Sequence, residues 1–145
     1  GIDHDGTEYR THQTERVGSI LSGDVLVIEG KGFKRDGSES FNALGIISWD
    51  ARRAKYEFRS YAQGLAGTFD FRFTGDGYIW EIQAGPVLMR YMAKITGGAW
   101  KEIGERIVQG QPGVQIFEMN LRRVGSTPWP AENPFIPDLT KTFGK

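Results

Sequence analysis

Apolar and polar residues alternate with a period of two through the middle of the chain. Phe69, Phe71 and Phe73 alternate with Thr68, Asp70 and Arg72. Tyr78, Trp80 and Ile82 alternate with Ile79, Glu81 and Gln83, and Val87, Met89, Tyr91, Ala93 and Ile95 with Leu88, Arg90, Met92 and Lys94. Successive side chains of a strand point to opposite faces, so the pattern predicts strands with one buried face. Such segments recur at residues 8–21, 25–34, 39–49, 55–62, 68–73, 78–83, 87–95, 100–109 and 114–124. The breaks between them hold Gly, Asp or Pro, which tolerate turn geometry; the break at 50–54 is the one without Gly. No segment carries a sustained helical period.

The connections are too short for parallel crossovers, so neighbouring strands pair antiparallel. A meander of about nine to ten strands hides its edges by closing into an up-and-down barrel. Loop lengths extend the buried face, because paired residues share a face. A loop at 74–77 pairs Phe73 with Tyr78, Phe71 with Trp80 and Phe69 with Ile82. A loop at 83–86 pairs Ile82 with Val87, Trp80 with Met89 and Tyr78 with Tyr91. A loop at 96–99 pairs Ile95 with Trp100, Ala93 with Glu102, Tyr91 with Gly104 and Met89 with Arg106. A loop at 110–113 sets Phe117, Met119 and Leu121 opposite Arg106, Gly104 and Glu102. Backwards, Trp49, Ile47 and Gly45 oppose Tyr56, Phe58 and Ser60. An Asp36-Gly37 turn then adds Phe41, Ile28 and Leu26, and the first strand adds Tyr9, Glu15 and Val17.

The barrel therefore spans residues 1–124. Residues 125–145 hold four of the six prolines yet keep Trp129, Phe135, Ile136, Leu139 and Phe143. They read as an irregular Pro-rich arm, not a separate domain, packed on the barrel or on a second subunit in a homodimer.

Composition narrows the function. Lys and Arg number 18, as do Asp and Glu, so the basic excess of a nucleic-acid binder is missing. With no cysteine, disulfides, thiolate metal sites and cysteine nucleophiles are excluded. No apolar run reaches the roughly 18 residues of a membrane helix. The chain reads as soluble, with the cytoplasm favoured over the periplasm. His4 and His12 lack metal-ligand spacing, and no phosphate loop, nucleophile elbow or dinucleotide motif occurs. No metal and no cofactor is expected.

The inward face nevertheless contains polar residues foreign to a plain core. Glu102 and Arg106 share one side of a strand, flanked by Trp100 and facing Tyr91 and Met89. Four residues in a strand span roughly 13 Å, so they cannot pair directly. An unpaired buried charge is costly, and each needs water, a ligand or another partner. Glu15, Ser60 and Gln13 add polar groups. With Phe58, Phe71, Trp80 and Met119, these residues outline an apolar pocket with a few orienting polar groups. Arg106 in that setting suits a carboxylate or phenolate.

The runs at residues 20–30 and 43–50, the Lys55-Tyr56 pair and the runs at 100–105 and 117–121 together resemble a bacterial lipocalin-like family of unknown function. That family lies among the calycin-type barrels, distantly similar to fatty-acid-binding proteins and nitrobindin. The resemblance covers residues 7–124 and implies a barrel of about ten strands around a central cavity. Such barrels commonly open with a Gly-x-Trp-like strand, which is missing here. A leading strand is therefore expected to be lacking, leaving an edge beside the first strand for something, such as the tail, to cover. Nitrobindin-like haem binding would need a late axial histidine, and none follows His12. The favoured function is binding of a small hydrophobic or amphipathic molecule. The alternatives are an enzyme using Glu102 or Glu15 with Arg106, and a structural or oligomerising domain.

Overall fold

Alternating sequence becomes alternating structure in the computed structural model, which describes residues 1–2, 5–130 and 140. Nine strands follow in chain order: β1 His12–Ile20, β2 Val25–Phe33, β3 Glu39–Asp50, β4 Lys55–Ala62, β5 Leu65–Phe73, β6 Gly77–Ala84, β7 Val87–Thr96, β8 Ala99–Val108 and β9 Val114–Arg122. A single short 3₁₀ turn, Leu21–Gly23, interrupts them among the described residues. Each strand pairs antiparallel with its sequence neighbours, in the order β1 to β9. The fold is thus an all-β, up-and-down, nearly closed barrel.

The turns fix the register. Gln63 and Gly64 both adopt positive φ (50° and 81°), so two residues suffice to join β4 to β5, and β5 begins at Leu65 rather than at 68. Trp49 opposes Tyr56, Ile47 opposes Phe58 and Gly45 opposes Ser60, as the alternation predicts. Phe71 opposes Trp80 and Phe73 opposes Tyr78, also as expected.

Two registers differ from expectation by two residues. Gly85, at φ 57°, and Pro86 close a two-residue turn, so Ala84 rather than Ile82 opposes Val87. Trp80 consequently faces Tyr91, and Tyr78 faces Ala93. In β8–β9, Glu102 meets Met119 and Gly104 meets Phe117, after which the register slips between Gly104 and Glu105. Both shifts are even, so faces stay as predicted up to the β8–β9 slip; beyond it Arg106 meets Val114, three residues from the expected Phe117. The expected Phe69–Ile82 pair does not form: the β5–β6 ladder ends at Asp70–Glu81, and the strands part beyond it.

β1 and β9 form the seam, without a ladder between them. The cover at β9 comes from the N-terminal side, where Ile2 N–H donates to Ile116 O at 2.8 Å. Ile116 is the residue left over by the β8–β9 slip. On the outside of β1, Trp129 lies over Gly18, where a Cβ would fall 2.1 Å from the Trp129 carbonyl oxygen. The Arg16 guanidinium stacks 4.6 Å from the Trp129 ring centre. Val27, opposite Gly18, is buried there at 7 % exposure. The rest of the expected arm, 131–139 and 141–145, on which the homodimer expectation rests, lies outside the described residues.

One end of the barrel is packed. Ile47, Phe71, Tyr78 and Ala93 form the buried core, against Tyr56, Phe58, Trp80 and Trp100. Outside, strands are tied by ion pairs such as Arg16–Glu29, Lys55–Asp70 and Arg72–Glu81–Arg90. No helix among the described residues is long and apolar enough to cross a membrane.

Candidate functional site

Above the packed end the barrel is hollow, with a cavity of about 590 Å³. Small residues make the space. Gly30, Ala43, Gly45, Ser60, Ala62 and Gly67 occupy inward positions on β2 to β5. The room beside these residues is partly used by larger neighbours. A Cβ on Gly45 would come 2.5 Å from Phe58 Cε2, and one on Gly30 would come 2.6 Å from Glu15 Oε1. Those glycines therefore seat the Phe58 ring and the Glu15 carboxyl against backbone. The opposite wall is aromatic: Trp80 and Tyr91 stack at 4.1 Å and 8°, with Phe117 edge-on to Tyr91.

Two carboxyls enter this apolar space. Glu102, 7 % exposed, sits on β8 between Ala93 and Met119. The Tyr78 hydroxyl donates to its Oε2, and the Trp80 indole N–H donates to Oε1 at 3.5 Å. Burial raises the Glu102 pKa, opposed by these two donors. Burial and the adjacent Glu102 charge hold the Tyr78 hydroxyl far above the ordinary phenol range. Tyr91 is raised too, by burial first and then by Glu102 and Tyr9. Glu15, on β1, receives one hydrogen bond, from Gln13 Nε2 at 2.6 Å. Burial pushes its pKa up to about 7, and the nearby Glu102 and Glu29 charges add to the rise. The Trp100 indole nitrogen is buried without a well-formed hydrogen bond, although it lies close enough to the Tyr78 hydroxyl to temper its shift.

Of the residues expected at the site, Glu15, Phe58, Ser60, Trp80, Tyr91, Trp100, Glu102 and Met119 line the cavity. Phe71 lies beneath it, in the core at 6 % exposure. Arg106 and its partner Met89 do not line it: Arg106 is exposed, near the end of β8 opposite Val114. The structure thus does not bring Arg106 together with Glu102 or Glu15. Tyr78 was missed. Its expected partner was Tyr91, and the shorter Gly85-Pro86 turn moves it one inward position nearer to Glu102. Of the small-residue wall only Ser60 was expected at the site; Gly30, Ala43, Gly45 and Gly67 also line it.

Comparison with protein-family models, curated proteins and solved structures finds no match. Among the described residues, no cluster of His, Cys, Asp or Glu has the makings of a metal site.

Proposed function

We propose that the barrel is a binding module that takes one small hydrophobic or amphipathic molecule into its cavity. The observation that carries this reading is a hollow of about 590 Å³, lined mostly by aromatic and small residues, in a barrel otherwise packed at one end. Ligand sites are typically preformed concavities of about 300–1,000 Å³ with apolar walls and a few polar groups. Phe58, Trp80, Tyr91, Trp100 and Met119 supply contact area, while Glu15, Ser60 and Glu102 orient the ligand. The parting of β5 and β6 beyond Asp70–Glu81 gives the ligand a way past Leu65, Gly67 and Ile82.

A neutral, polarity-sensitive dye such as Nile red tests the reading. The expected result is saturable one-to-one binding that is lost in Ala43→Trp, whose side chain fills the cavity. No binding, or equal binding to the filled variant, overturns it.

A further inference from the structure

Among the described residues the cavity has acids and no base: no Lys, Arg or His lines it, whereas Glu15 and Glu102 both enter it. Three arginines on the strands that carry or flank these acids are engaged elsewhere or turned away. Arg16 pairs with Glu29 and stacks on Trp129 on the outer face. Arg90 pairs with Glu81 outside, and Arg106 is exposed beyond the lining. Glu102 receives two hydrogen bonds from neutral groups, and Glu15 one. Neither receives a counter-charge from the described residues.

A buried carboxylate without a counter-charge is held in an unfavourable state, and it responds by staying protonated. Both carboxyls are held toward the neutral form by burial, and the Glu102 charge further opposes ionisation of Glu15. A ligand bearing a carboxylate would bring a further negative charge into this low-dielectric space, with no cation to receive it. A ligand bearing an ammonium group would supply the missing charge and let the acids ionise against it. The apolar remainder of such a ligand would lie along the Trp80–Tyr91 stack, whose ring faces also favour a cation.

We propose that this cavity selects amphipathic amines, with the ligand nitrogen held between Glu15 and Glu102, and rejects fatty acids. The proposal rests on the binding reading above and names the chemical class that the site takes. No covalent step is involved. The carboxyls act as hydrogen-bond acceptors and counter-ions, and any proton they release goes to solvent.

Three probes with the same alkyl chain separate the possibilities: decylamine, decanol and decanoate, titrated near neutral pH by tryptophan fluorescence and calorimetry. The expected order is amine, then alcohol, then acid, with the amine ahead of the acid by about tenfold or more. In Glu15→Gln and Glu102→Gln the ratio of amine to decanol affinity should fall by about fivefold or more. Far-ultraviolet circular dichroism controls for folding, and Glu15→Gln keeps the test open should Glu102→Gln fold poorly. If all three probes bind alike, or the amine keeps its advantage in both variants, the amine proposal falls and the binding reading stands. If decanoate binds best, the proposal falls in favour of a fatty-acid site. If no probe binds, the binding reading falls with it.

Discussion

The Tyr78 hydroxyl donates to Glu102 Oε2 across the interior, joining β6 to β8 over Ala93 of the intervening β7. The bond holds the Glu102 carboxyl at the boundary between packed core and hollow. Tyr78→Phe removes it and leaves only the long Trp80 contact. Losing a hydrogen bond to a buried charged group costs about 1.5–3 kcal/mol. The phenol favours the ionised carboxyl, so the loss should be larger at pH 8 than at pH 5. Urea unfolding at the two pH values checks this, and an equal loss at both would contradict it.

Glu15 makes the fold sensitive to pH in the opposite direction from an ordinary salt-bridged acid. Its folded pKa is raised from 4.5 to about 7. Below about 4.5 both folded and unfolded chains hold the proton, and the stabilising difference is fully present. Between about 4.5 and 7 the unfolded chain releases its proton while the folded chain keeps it, so stability falls as pH rises. The loss amounts to at most about 3 kcal/mol and levels off above pH 7 or so. Glu15→Gln should flatten this part of the stability profile, measured by thermal or urea unfolding across the window.

Gly45 should not accept even a methyl group. A Cβ there meets Phe58 2.5 Å away, and Phe58 is itself held edge-on against Trp80 at 5.0 Å. Gly45→Ala is expected to cost about 1–3 kcal/mol by overpacking. It should also alter the near-ultraviolet circular dichroism of the aromatic cluster, while the far-ultraviolet spectrum stays that of a barrel.

Sequence alone made the face of each residue legible, and with it the barrel, but not depth along the barrel axis. Alternation reports only whether a residue points in or out. A two-residue turn at Gly85-Pro86 and the expected four-residue loop give the same faces, so nothing in the pattern distinguished Tyr78 opposite Ala93 from Tyr78 opposite Tyr91. Arg106 shows the same limit. It follows Glu102 at an even spacing, yet it lies beyond the cavity and is exposed. The Glu15 carboxyl over Gly30 needed the β1–β2 register, which puts those two residues directly opposite each other.

The start of the C-terminal arm should contribute through one contact. Arg16→Ala removes the guanidinium from Trp129 and from Glu29, 2.7 Å away. Both groups are partly exposed, so the combined loss should be about 0.5–1 kcal/mol. Arg16→Lys should recover part of it. A shift of tryptophan emission before the main unfolding transition would report release of Trp129 from β1.

The seam between β1 and β9 has a consequence for how the chain reaches this structure. Every ladder joins strands adjacent in sequence, so each can form by closing one short loop, at small entropic cost. Mean sequence separation between pairing partners is therefore low for an all-β chain, and folding should be faster than in Greek-key barrels of similar size. The meeting of first strand and last is the one step that must bridge nearly the whole chain, and no ladder rewards it. Assembly can thus proceed as a zipper running from hairpin to hairpin, and the circle closes last.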